Sequence, residues 1–207
     1  MSARQRLSPG RAARLRLRRR LAAAERGADL LERKLRLLLE RRTALEDAAR
    51  VAGKRWREEI AAAEEWLLRG LVIGGEQALT EAVPARPGTL EVQWSALMGL
   101  RHPTGVTWSA PVREPGEALA PNTALAHAET EYRTAVRTGA EYAAARTAAE
   151  LVAAEALRTR QRVRALRRHW IPRLTQELAA ADQALEQAEH EEAVRRRWAA
   201  RNATHGG

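Results

Sequence analysis

The chain has 207 residues, of which 45% are hydrophobic and only 4% aromatic, the latter made up of six Trp, two Tyr and no Phe. That is too little aromatic and branched bulk for a large globular core, while 36 Lys+Arg against 26 Asp+Glu, with Arg in 34 of the 36 basic positions, points to acidic partners rather than to a fold. Zero Cys excludes a disulfide scaffold, a Cys-ligated zinc site and a thiol nucleophile. The N-terminal stretch is Arg-rich with no apolar run behind it, and no segment of about 18 uncharged apolar residues occurs. The expectation is a cytosolic chain, neither secreted nor membrane-spanning.

Proline divides the sequence into three. Residues 11 to 69 have none, residues 84 to 121 have six, and residues 122 to 202 have one. Long helical arms over 9–70 and 122–202 are therefore predicted on either side of an irregular insert, 71–121, with a disordered tail at 203–207 and the whole read as one elongated domain. The basic excess lies mostly on the first arm, where residues 1 to 70 carry 19 basic and 10 acidic side chains.

The first arm starts at Ser8 as N-cap with Pro9 in the first turn. Apolar residues then recur at alternating steps of four and three through Leu17, Leu21, Ala24, Ala28, Leu31, Leu35 and Leu38, past Arg42, to Leu45, Ala49, Ala52 and Trp56. That is a heptad seam. It continues at Ile60, Ala63, Leu67 and Leu71 after one step lengthens, and the glycines at 70, 74 and 75 mark its expected stop.

The insert holds two candidate strands, Thr89 to Trp94 and Val106 to Ser109. A small hairpin with its turn near Pro103 to Gly105 follows, with Trp94 and Trp108 on its two faces. Two strands alone are marginal in water, so this tip is expected to pack against something else.

The second arm has its seam at Tyr142, Ala145, Ala149, Val152, Ala156, Thr159, Val163, Leu166 and Trp170, and resumes through Leu174, Leu178, Ala181, Leu185 and Ala188. Pro172 should bend this helix without ending it, because the period resumes. At 1.5 Å per residue the arms span roughly 90 and 120 Å, and each has a stripe narrow enough for one neighbour. An all-α fold follows, a long antiparallel two-helix coiled coil with an Ala-rich seam and a short irregular or β-hairpin insert in its middle.

Catalytic motifs are absent from the sequence: the five His are scattered, and the glycines after residue 69 lack the Lys-Ser/Thr ending of a phosphate loop. No catalytic, cofactor or metal residue is expected. The strongest charge feature is Arg11, Arg14, Arg16, Arg18, Arg19 and Arg20, which an antiparallel hairpin would place at the same end as Arg195, Arg196, Arg197 and Trp198. Such a tip would contact carboxylates or phosphates, since guanidinium suits both, or would be a solvated face. Trp56, Trp66 and Trp170 read as packing residues, and Trp198 as exposed or buried in a partner.

Pro9, Arg26, Gly27, Leu30 and Leu31 on the first arm resemble the opening of the D-subunit family of V-type (archaeal-type) ATP synthases. On the second arm, Arg162-Val163 with Leu166, then Ile171-Pro172-Arg173-Leu174, then Leu185-Glu186, are similar to that family's R-V-N-A-L-E, I-P-R and L-x-E-x-E-x-E-E blocks, in order and spacing. Gly10 replaces a Thr of the family pattern, and Arg164 and Arg167 replace its Asn and Glu.

The resemblance implies a non-catalytic rotor shaft without cofactors. It would stand within a ring of catalytic A and B subunits, with both termini in the ring. The insert, with Trp94, Pro103, Gly105 and Trp108, would face the small F subunit of the central stalk and the funnel-like C subunit that leads to the membrane ring. The complex would carry H⁺ or Na⁺ on the cytoplasmic side of the membrane, with this chain peripheral, binding no nucleotide and no nucleic acid. The alternative reading is a basic nucleic-acid-binding or scaffold coiled coil, against which stands the concentration of charge at a tip and the lack of a known binding module.

Overall fold

The computed structural model describes residues 10–82, 86–113 and 119–205; Ser8 and Pro9, the expected start of the first arm, lie outside the described residues. The order is a helix α1 (Arg11–Ala82), an antiparallel hairpin of β1 (Thr89–Leu97) and β2 (Leu100–Ser109), a helix α2 (Thr123–Ala165), a π turn (Leu166–Trp170) and a helix α3 (Ile171–His205). This is the expected class, long helices in antiparallel pairing around a small hairpin. Where the sequence treats the chain as one domain, its contacts group the described residues into two compact units. One combines residues up to Leu35 with those from Arg158 onward, and the other is Arg36–Leu157.

In the first unit, Arg11 and Arg14 of α1 pair with Glu189 and Asp182 of α3, and Asp29 and Glu32 pair with Arg167. Partner numbers fall as α1 ascends, which is the signature of antiparallel helices. Ala13, Leu17, Ala28, Thr159 and Leu174 are buried. Alanine at these positions lets helix axes approach but removes less apolar area per layer than leucine would.

The second unit shows the same direction of pairing. Trp56 stacks on Tyr142 with ring centroids 5.6 Å apart, and Trp66 stacks on His127 at 4.7 Å. Trp56 and Tyr142 each have a glycine opposite the ring: a Cβ on Gly139 would lie 2.8 Å from Trp56 Nε1, and one on Gly53 would lie 2.8 Å from Tyr142 Cε2. These two rings of a sparse core are therefore seated in slots that only glycine leaves open.

Every expected seam position of α1 is at least partly buried: Leu17, Ala28, Leu38 and Ala63 are buried, and Leu21, Ala24, Leu31, Leu35, Arg42, Leu45, Ala49, Ala52, Trp56, Ile60, Leu67 and Leu71 are partly buried. The helix does not stop at the glycines, however. It runs on to Ala82, and Gly70 serves instead as a close-packing position, where a Cβ would meet Leu125 Cδ2 at 2.6 Å. Only Gly75 leaves the helical region (φ 69°, ψ −176°), a conformation open to glycine, so α1 kinks there and continues.

The second arm departs from the expected seam at two positions, Trp170 and Ala188. Trp170 is 49% exposed, off the seam, and Ile171 is partly buried in its place. The π turn is the reason: Ile171 N–H donates to Leu166 O, one residue further back than in an α-helix, so the inward stripe steps five residues from Leu166 to Ile171. The turn ends just before Pro172, which has no N–H to give the ladder, and the helix continues through it. Ala188 is also exposed. The helix extends through the first residues of the expected tail to His205.

The hairpin turn lies at Met98-Gly99, not at Pro103 to Gly105. Both turn residues have positive φ (50° and 83°), the geometry of a two-residue turn that matches strand twist. Pro103 sits inside β2 opposite Trp94, beside a register shift after Gln93 that accommodates a residue unable to donate to the ladder. The register also corrects the tryptophans. Leu90, Val92 and Trp94 alternate along β1 and face Trp108, Val106 and Pro103, so both tryptophans share one apolar face. Arg101 lies on that face, 5.6 Å from the Trp94 ring centre.

Candidate interaction surfaces

The α1 N-terminal arginines fall into two sets. Arg11 Nη2 donates to Glu189 Oε1 at 3.1 Å and Arg14 Nε donates to Asp182, while Arg16, Arg18, Arg19 and Arg20 are exposed and make no ion pair among the described residues. Arg11, Arg14, Leu15, Arg18, Asp182, Leu185, Glu186 and Glu189 line an open groove of about 560 Å³. With Glu189 opposite Arg11, residues 195–198 fall beyond the first turn of α1. Arg195, Arg196 and Arg197 therefore succeed the α1 cluster along the helix pair instead of standing beside it. Arg195 and Arg196 pair with Glu191 and Glu192 on their own helix, and Trp198 is 68% exposed.

The motif residues divide by chemistry. Leu31, Val163, Leu166, Ile171 and Leu185 are partly buried between the helices; Arg26, Leu30, Arg162, Pro172 and Glu186 differ in kind, the first three and Pro172 being exposed and Glu186 lining the groove. Gly27 meets no neighbour that a Cβ would strike. Pro9 lies outside the described residues.

On the insert, Pro103 is buried, Gly105 and Trp108 are partly buried, and Trp94 is about half exposed, as are Leu90 and Val92. The base of the hairpin is pinned by three charged side chains that sequence reasoning does not single out. Arg113 Nη2 donates to Glu129 Oε2 at 2.8 Å and to the carbonyl of Ala82 at 2.5 Å, and Arg133 Nη2 donates to Glu129 Oε1 at 2.6 Å and to the carbonyl of Pro111 at 3.2 Å. Arg133 lies four residues after Glu129 and the spacing is legible, but Arg113 reaches Glu129 from the irregular linker after β2. A third surface is apolar: Leu68, Val72 and Ile73 of α1 are more than 60% exposed, beside Trp66, over which Arg69 stacks at 4.6 Å.

Arg167 is an exposed cation held by two carboxylates. Its Nε donates to Glu32 Oε1 at 2.8 Å and its Nη2 to Asp29 Oδ1 at 2.5 Å, and hydrogen bonds from the guanidinium to these carboxylates raise its pKa further above the ordinary value. The family pattern has a glutamate at this position; this chain places the opposite charge there and carries two acids across from it.

Among the described residues, no group of three or more His, Asp or Glu side chains could hold a metal ion, and no helix is long and apolar enough to cross a membrane. No curated protein matches the chain. The family model for the D subunit of ATP synthases matches residues 13–201, both helical arms and the insert between them. With paired antiparallel helices and the motif blocks already in place on that span, the match is decisive: the chain belongs to the ATP synthase D-subunit family.

Proposed function

We propose that this chain is the central rotor shaft of a V-type ATP synthase or ATPase, turning inside the ring of catalytic A and B subunits and coupling that ring to an ion-carrying membrane ring. The observation that carries the reading is the antiparallel pairing of α1 with the second arm inside each unit of a D-subunit family member, held by an Ala-rich seam and cross-helix ion pairs. Such a pair can stand in a narrow bore. Bond chemistry belongs to other subunits in this reading, and the chain binds no nucleotide.

The arginines of the α1 N-terminus and of residues 195–197, with Trp198, face the catalytic ring. The hairpin, with Trp94, Pro103, Gly105 and Trp108, faces the small F subunit and the funnel-like C subunit, on the cytoplasmic side of the membrane. Coupling works by asymmetry: as the shaft turns, each catalytic interface meets a different side of it, so distant sites are linked by position alone.

Co-purification tests the assembly. The tagged chain, isolated at moderate salt, is expected to bring down two nucleotide-binding subunits in threefold excess over itself, one small partner, and ATP hydrolysis. Recovery of the chain alone, or with nucleic acid only, would end the proposal.

A further inference from the structure

Between Glu155 and Glu177 the chain has no acidic residue and seven arginines. Three of these, Arg160, Arg164 and Arg168, stand four residues apart, which puts them on one flank of the helix about 6 Å from one to the next. All three are exposed, and none makes an ion pair or hydrogen bond among the described residues. Like charges at this spacing oppose helix formation. The row therefore weakens its own helix and gains no ion pair among the described residues in return.

The neighbouring Arg167 shows what such a guanidinium accepts. It is gripped by Asp29 and Glu32, two carboxylates one helical turn apart on α1, through both its Nε and its Nη2. Two carboxylates one turn apart on a helix thus hold a facing guanidinium, and the planar fork suits carboxylate geometry, so exposed arginines at successive turns are complementary to a helix that presents carboxylates. A nucleic-acid strand is a poorer fit. Strands of that kind are bound by grooves with aromatic platforms between the cations, and the row has none between its members.

We infer that Arg160, Arg164 and Arg168 form a docking row for an acidic helical segment of a partner protein, one carrying carboxylates at successive turns. The row is separate from the α1 N-terminal and residue 195–197 clusters. It stands whether or not the chain turns inside a ring.

The test uses the full chain and a synthetic helical peptide with glutamates at every fourth position, alongside the same peptide with glutamines and a single-stranded oligothymidylate. Binding is followed by fluorescence anisotropy at low and near-physiological salt. The acidic peptide should bind. R160Q/R164Q/R168Q should weaken it about tenfold or more and flatten its salt dependence, whereas the charge-matched R41Q/R57Q/R137Q should leave it within about twofold. The row variant should also melt at a higher temperature than the natural chain, since relieving repulsion stabilises the helix. Equal binding by both variants, no binding at all, a lower melting temperature in the row variant, or tighter row-dependent binding of the oligothymidylate would each overturn the inference.

Discussion

The side-chain nitrogen of Asn122 donates to the backbone carbonyl of Gly70 at 3.2 Å, while its side-chain oxygen accepts from the N–H of Leu125 at 2.8 Å. One residue thus caps the first turn of α2 and ties that turn to α1. Replacing Asn122 by Ala should cost about 1–2 kcal/mol in urea unfolding. Asn122→Asp keeps the acceptor and loses the donor, so it should recover about half of that; an Asp variant as unstable as the Ala variant would mean that the cap contributes nothing.

Much of the fold is legible because it rests on repetition. The seam from Leu17 to Leu71 needs only the spacing of apolar residues, and its leucines at 17, 21, 31, 38, 67 and 71 are all at least partly buried. What escapes is decided by single backbone events. Gly70 and Gly75 look alike in sequence, yet one packs against Leu125 inside a helix and the other kinks it. Pro103 and Gly105 carry the usual turn signal, but the turn falls at Met98-Gly99 because both of those residues take left-handed backbone and the bulge absorbs the proline. Trp170 loses its seam place to a π turn, which adds one residue to the period and has no sequence pattern of its own. Of the candidate surfaces, the charges of the arginine clusters are visible in the sequence; the succession of the clusters along the helix pair follows only from the Arg11–Glu189 register.

The glycine slots predict a size limit. In Gly139→Val the new side chain meets the Trp56 indole, and overpacking of about 1–3 kcal/mol exceeds whatever helix propensity the change adds. Trp56→Leu opens the slot, so the double variant should be less unstable than the sum of the two single changes. Additive losses, measured in a thermodynamic cycle, would show that the ring and the glycine do not share a site.

Glu129 is the acceptor for two arginines at the hairpin base, and the Arg113 side chain is only 12% exposed. Glu129→Gln removes the carboxylate that both cations share and should cost on the order of 2 kcal/mol, less than breaking a fully buried pair would. Amide exchange should quicken first at residues 110–113 and at the end of α1. Uniform exchange across the chain would instead place the loss in the helix pair.

Arg167 gives the opposite expectation. Its partners are exposed, so Arg167→Gln should bring only a small loss of stability, and salt should shrink the difference. Because its carboxylate partners raise the pKa, the charged guanidinium is present at all lower pH and its contribution is lost on that side only as pH rises through the raised value. The natural chain and the variant should therefore keep the same stability gap from neutrality to about pH 10. A gap that closes within that range would assign the stability to another group.

The rotor reading is tested most directly by locking the shaft. The chain has no cysteine, so a single Arg197→Cys can be paired with one cysteine engineered into the catalytic ring of the purified complex. If the chain turns within the ring, oxidation to the disulfide abolishes ATP hydrolysis and reduction restores it. Hydrolysis that continues at its full rate with the cross-link formed would contradict the account, because a part fixed to the ring cannot be its rotor.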